Sequence, residues 1–204
     1  MDERNKNGAR SVSEEVESRA PRADATRNRD QLLAVATRLC ASGGTEPSMR
    51  EIAREAGVGI ATLYRHFPTK ESLVDAIYQS QVVRLTTGAR ELLDQLPPAG
   101  AMRRWMDLFG DWIATKNGML DTLLAMIEAG EIAHGQTRLE LLAAITTILE
   151  AGRAVDALRH DVTAEDIAAS LVGIFTVAPK PQRDALASRL LDLLMDGLRP
   201  PLRR

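Results

Sequence analysis

Residues 48–73 read SMREIAREAGVGIATLYRHFPTKESL, and glycines, a proline and two polar starts cut them into three pieces. Ser48 followed by Glu51 has the form of a capping box, in which Ser48 accepts from the Glu51 backbone N–H and the Glu51 side chain returns the bond. Ile52, Ala53 and Ala56 continue as an apolar face, so a helix opens here. Gly57-Val58-Gly59 breaks it. Ile60 to Phe67 makes a second short helix, with Leu63 and Phe67 four apart on one side. A helix this short is marginal alone in water, so it must pack on its neighbours. Pro68-Thr69-Lys70-Glu71 opens a much longer segment carrying Leu73, Val74, Ile77, Val82 and Leu85, which runs until Pro97-Pro98 forbids continuation. Unbroken, it would span about 40 Å.

Working outward, Leu32, Leu33, Ala36 and Leu39 recur at helical spacing from Thr26 on, and the pattern stops at Gly43-Gly44. Beyond Pro98 come five further helical stretches, bounded by Asn117-Gly118, Gly130, Gly135, the segment around Asp161-Val162-Thr163, and Pro179-Lys180-Pro181. No alternating run of strand character interrupts them. The fold class is all-α, with a flexible N-terminal arm (1–25), a three-helix unit (26–72) and a larger helical part (73–204).

Two short helices joined by a tight glycine-containing turn, with a third packed across them, form a helix-turn-helix, whose second short helix enters the DNA major groove. A groove about 12 Å wide demands a slim leading end and donors beside it. Gly59, Ile60 and Ala61 supply the first; Thr62, Tyr64, Arg65 and His66 supply the second. Helical spacing alone leaves Tyr64 open between a half-buried core ring and a DNA contact, and allows His66 to be a cap. The co-occurrence of Ser48, Thr62, His66 and Lys70 with the slim end favours DNA.

Taken together, Ile52-Ala53-Arg54-Glu55-Ala56-Gly57-Val58 and Thr62-Leu63-Tyr64-Arg65-His66-Phe67-Pro68-Thr69-Lys70-Glu71-Ser72-Leu73 resemble the DNA-binding signature of the tetracycline-repressor (TetR) family. The resemblance covers about 50 residues and is far more specific than a two-residue motif. It implies that residues matching Arg50, Ile60, Ala61 and Tyr64 lie near base edges, while those matching Ser48, Thr62, Tyr64, His66 and Lys70 hold phosphates. With Met49, Gly59 and Arg65 these make the candidate DNA-binding set. One departure is Gly59, where members commonly carry Ser; it leaves the recognition helix without a side-chain cap.

The resemblance also implies a C-terminal ligand-binding and dimerisation domain. Met102, Trp105, Met106, Phe109, Trp112 and Ile113 form a thick apolar stripe at i, i+3, i+4 and i+7. Candidate ligand contacts are Trp105, Met106, Phe109, Trp112, Met119, Leu123, Met126, Ile127 and Ile145, with Leu141, Leu142, Ile148 and Leu149 on the same faces. A filled core and a cavity fit these stripes equally well. Ile167, Leu171, Ile174 and Phe175, then Leu186, Leu190, Leu193 and Leu194, give two faces wide enough for a homodimer interface, or for covering the subunit's own core. The resulting expectation is a regulator released from a palindromic operator by a small apolar effector; an activator of the same fold, a protein-only adaptor and an enzyme using the cavity are the alternatives.

Composition narrows these. The chain has 204 residues with 45% hydrophobic and 26% charged, values of an ordinary globular protein. A net charge of -2 argues against a protein that coats nucleic acid non-specifically, but a reader of DNA needs only a local basic face, so charge leaves the question open. No apolar run approaches membrane-span length and the start lacks a signal peptide, so a cytoplasmic protein is expected. Residues 1–25 read as a disordered tail or, through Arg19 and Arg22, as a minor-groove arm. Cys40 is the sole cysteine and reads as a small buried hydrophobe. His134 and His160 stand alone, the Gly57 to Thr62 run lacks the third glycine of a dinucleotide loop, and no nucleophile elbow occurs. No metal, cofactor or enzymatic residue set is expected.

Overall fold

The computed structural model describes residues 26–132, 134–177 and 183–200, all helices and connecting turns with no strand among them. The arm expected at 1–25, with Arg19 and Arg22, lies outside the described residues. Helix α1 (26–41) is followed by α2 (Met49–Glu55) and α3 (Ile60–His66), then by α4 (Lys70–Gln95). After them come α5 (Pro98–Asn117), α6 (Leu120–Glu128), α7 (His134–Ala154), α8 (Ala164–Val177) and α9 (Arg183–Gly197). Gly135, expected as a boundary, lies in the first turn of α7. One glycine is tolerated there because tertiary packing outweighs its propensity of about 1 kcal/mol.

The first three helices close on a core of alanines and a few large apolar residues. Leu32, Ala36, Ile52, Ala53, Ala56, Leu63 and Phe67 are all buried, which lets short helices approach closely. Gln31 Nε2 donates to the Ala56 carbonyl at 2.8 Å, tying α1 to the end of α2. That end is a Schellman motif: Val58 N–H donates to Ala53 O and Gly57 N–H to Arg54 O, at 3.0 and 3.1 Å. Gly57 has φ of 68°, so any other residue there would be strained.

Starts differ from expectation in one respect. Ser48 accepts from the Glu51 N–H at 3.2 Å, but among the described residues the return bond does not form. The reciprocal capping box sits at α4 instead, where Thr69 and Ser72 exchange side-chain and backbone bonds at 3.1 and 3.2 Å. A hydroxyl at the third helical position serves the role expected of Glu or Gln.

Helix α4 spans 26 residues, about 39 Å, and links the two parts of the chain. It packs against α5, α6 and α7, while α8 touches α5, α7 and α9. The bundle is held by aromatics. Trp105 is fully buried and its indole N–H donates to the Leu85 carbonyl at 2.8 Å, pinning α5 on α4. Phe109 stacks obliquely against Trp105, Trp112 and Phe175, with ring centroids 5.8, 5.3 and 6.2 Å away. Such pairs add about 0.5–1.5 kcal/mol beyond burial.

Ile167, Leu171 and Phe175, expected to face a partner subunit, are buried within this chain's own core at 8% exposure or less. The apolar face of α8 is wider than one contact needs, so its inner half is consumed by α5 and α7. Outward it shows Val172 and Val177, at 51% and 67% exposure, and α9 shows Leu193 at 66%. Leu186, Leu190, Leu194 and Ile174 are half-buried along the same rim.

The two parts also meet away from α4. A Cβ placed on Gly118, in the turn between α5 and α6, would lie 1.9 Å from the Cys40 carbonyl oxygen at the end of α1. Only glycine fits there. Cys40 is itself buried, and burial pushes its thiol pKa up to about 11, so it stays neutral at physiological pH.

Candidate nucleic-acid interface and ligand cavity

Helix α3 owes its orientation to Leu63 and Phe67, 0% and 1% exposed, which bury one side in the three-helix core. Arg29 lies over the Phe67 ring at 5.2 Å and closes that side. The opposite side therefore carries Gly59, Ile60, Ala61, Tyr64 and Arg65 into solvent, while Thr62 and His66 are half-buried at its edges. Tyr64 is 47% exposed, so about half of its surface is free on that side. The Arg65 guanidinium donates to Thr62 Oγ1 at 2.9 Å, so these two act as one unit. Gly59 caps α3 with no side-chain bond, as the sequence implied.

On α2, Ser48 and Arg50 are exposed. Met49 is not: at 8% exposure it belongs to the buried side with Ile52 and Ala53, and it leaves the candidate set because a side chain committed to the core cannot reach a groove. Lys70 opens α4 half-exposed and is engaged by Glu46, Nζ to Oε1 3.1 Å, with the carboxylate 13% exposed. Its charge is thus partly spent before any phosphate arrives.

In the bundle, a cavity of about 560 Å³ lies between α5, α7 and α8. Volumes of this order suit small ligands. Phe109, Trp112 and Ile145 from the expected set line it, joined by Ile113, Leu141, Leu142 and Phe175. Trp105, Met106, Met119, Leu123 and Met126 do not; they are buried at 5% exposure or less in the packed core, and Ile127 is half-buried beside them. Trp105 cannot offer its N–H to a ligand, because Leu85 has it. The stripe on α5 is wide enough to face α4 on one side and the cavity on the other, and sequence spacing does not divide the two.

One end of the cavity is polar. Lys116, Asn117, Thr137 and Arg138 line it, and the Lys116 ammonium sits 5.5 Å from the Trp112 ring centroid. Burial pulls the Lys116 pKa down. The Trp112 indole N–H is buried with no hydrogen-bond acceptor among the described residues. Next to Trp112, its ring centroid 6.4 Å away, Tyr78 has a buried hydroxyl without a well-aligned partner, and burial pushes its pKa up. Sequence reasoning missed Lys116 and Arg138. The signal was present, since Lys116 extends the Phe109, Trp112, Ile113 stripe by one turn and Arg138 precedes Leu142 and Ile145 on one face of α7.

Known proteins agree with this architecture. Residues 32–77 match the model described as bacterial regulatory proteins, tetR family, and 97–200 match the C-terminal domain of SbtR-like transcriptional regulators. A TetR transcriptional regulator from Streptomyces coelicolor has 42% identity, with 84% of this chain and 98% of that one superposed at a TM-score of 0.77. The chain belongs to the TetR family. A second TetR structure, from Mycobacterium vanbaalenii, has 35% identity over 87% of this chain and 98% of that one, with a TM-score of 0.68. The HTH-type transcriptional regulator EthR of Mycolicibacterium smegmatis is 28% identical over 69% of this chain and 67% of its own length. Against HTH-type regulators of Staphylococcus aureus the match covers 74 residues at 36% identity, 40% of their length. This TetR protein is accordingly a DNA-binding transcriptional regulator and not an enzyme, and no described helix is long and apolar enough to cross a membrane.

Proposed function

We propose that the protein is a homodimeric repressor that occupies a palindromic operator and leaves it when a small molecule fills the cavity between α5, α7 and α8. The units are residues 26–72 for DNA and 73–204 for ligand and partner. The observation that carries this reading is the joint presence, in one chain, of an outward α3 face and a cavity of about 560 Å³ connected through α4. Helix α4 begins at Lys70 beside that face and packs on α5 and α7, two of the three cavity walls. Displacing those walls tilts α4 and moves α3.

In a two-fold dimer the two recognition helices must sit about 34–36 Å apart, one turn of DNA, so a small tilt suffices to lose the fit. The exposed Leu193 and Val172, with the half-buried Leu190, support a partner on α8 and α9. Complete switching needs an effector that prefers the released form by about 10⁴-fold, whereas couplings of about 1–3 kcal/mol give partial relief.

The test selects bound sites from random DNA with the purified full chain, then measures transcription from a promoter carrying the recovered site. A palindrome whose occupation lowers transcription supports the proposal. Non-palindromic sites, or transcription that rises on occupation, would overturn repression by a dimer.

A further inference from the structure

The cavity has two ends of different chemistry, and the contrast identifies its occupant. Its body is hydrocarbon, with Phe109, Ile113, Leu141, Ile145 and Phe175 as the main walls. Its other end is cationic: among the described residues Lys116 and Arg138 are the charged ones that line it, and no carboxylate does. Among the described residues neither cation has an ion-pair partner within 4.0 Å, although other cations near the bundle do, Arg103 with Asp107 and Asp192, and Arg84 with Asp111. Glu140 acts on the Tyr78 hydroxyl from α7 but is not a lining residue, and it accepts from Gln136 at 3.0 Å.

Burying an ammonium without a counter-charge is unfavourable, and Lys116 is in that position, half-buried over the face of Trp112. Beside it the Trp112 N–H also lacks an acceptor, but its nitrogen is closed off by the surrounding packing and does not open onto the cavity. A buried donor left unmade costs about as much as the hydrogen bond it lacks. An acceptor that entered here with negative charge would answer the Lys116 ammonium and the Arg138 guanidinium, and an apolar body attached to it would fill the rest of the space. A cationic amphiphile would meet like charge, and a neutral apolar molecule would leave the donors unsatisfied.

We infer that the cavity binds an amphipathic anion, an apolar body bearing one carboxylate or similar oxyanion, with Lys116 as its counter-ion and Arg138 as a further donor. The inference rests on the cavity being the effector site, and it narrows the effector from an apolar molecule to an acid. Lys116 and the adjoining Asn117 stand directly before Gly118, whose turn touches the end of α1, so the charged head would sit where the sensor meets the DNA-binding unit.

The test compares decanoate, decanol and decylamine, and naphthoate with naphthylmethanol, on the purified full chain. Binding is read from tryptophan emission and from calorimetry, and operator release is read separately in the same solutions. Each acid should bind at least about tenfold more tightly than its alcohol, the worth of one charge-assisted hydrogen bond, and decylamine should bind more weakly than either. Lys116→Gln with Arg138→Gln should abolish the preference of each acid over its alcohol, read as the ratio of the two affinities in the same variant. Equal binding of acid and alcohol, a preference that survives the double substitution, or no binding of any of the five compounds would overturn the inference. Acids that bind preferentially without releasing the operator would uphold the ligand class and overturn the effector reading.

Discussion

The helix-turn-helix unit and the bundle behind it are built on opposite principles. The first packs alanines and single large residues together, ties α1 to α2 through Gln31 and Ala56, and secures its helix starts with local bonds, Ser48 to Glu51 and Thr69 to Ser72. Its polar groups point outward and lie within 23 residues of chain, from Ser48 to Lys70. The bundle relies on large aromatic and aliphatic side chains from distant helices, and its polar groups point toward a space it does not fill: the residues lining that space run from Phe109 to Thr176. A closely packed unit transmits movement as a rigid body, whereas a bundle with unfilled volume can change shape when that volume is occupied. The division suits the proposed regulator, whose reading head must keep its geometry while its sensor does not.

If the bundle's outer rim is what pairs two reading heads, breaking it should have the largest effect. Leu190→Glu with Leu193→Glu should convert a dimer to a monomer by sedimentation and weaken operator binding about 10²–10⁴-fold, the loss of linked half-sites, with helical content unchanged. A dimer that survives both charges would place the interface elsewhere.

Within the reading head, Arg50→Ala should cost about 1–3 kcal/mol on the best operator and relax preference at one base pair per half-site, since an exposed guanidinium can make a bidentate contact to guanine. Uniform weakening across all sequences, measured by competition binding, would reassign Arg50 to the backbone.

Lys70 gives a smaller and more diagnostic effect. A free lysine on a phosphate contributes about 0.9 per subunit to the salt dependence of binding, but the ion pair with Glu46 already offsets part of that charge. Lys70→Ala should therefore lower the slope by less than this amount, and Glu46→Gln should tighten binding and steepen it. No change with Glu46→Gln would show that Lys70 leaves the pair intact and does not reach DNA.

The smallest effect belongs to Gly59→Ser. No atom lies within 4 Å of a Cβ built there, so a serine can cap α3 without a clash. Thermal unfolding should show a gain of a few tenths of a kcal/mol, the usual difference between these two caps. A loss of stability would mean that the α2–α3 turn needs glycine for its backbone.

The comparison also explains what was legible in the sequence. Helix number, the broken α2–α3 pair and the burial of Leu63 and Phe67 follow from local spacing, because short helices and tight turns are specified by the residues that form them. Met49 was misassigned because adjacent positions at a helix start face different ways, and only the angle of α2 decides between them. In the bundle the apolar stripe on α5 was plain, but whether Trp105 or Trp112 met the cavity depended on which side α4 took. Once Leu85 accepts from Trp105, Trp112 is left for the cavity. Ile167, Leu171 and Phe175 were read as partner-facing for a related reason: a hydrophobic face does not say whose hydrophobic face it meets.

Gly118 touches neither the α3 face nor, by itself, the cavity, yet the space for its Cβ is already taken by the Cys40 carbonyl. Every single-base change that alters its codon's meaning thus installs a wedge, or a stop, between sensor and reading head. If the protein is the ligand-released repressor proposed above, a genetic screen for alleles deaf to the effector but still able to shut their promoter should return to this codon again and again, and a survey of contacts with ligand or DNA would never have nominated it.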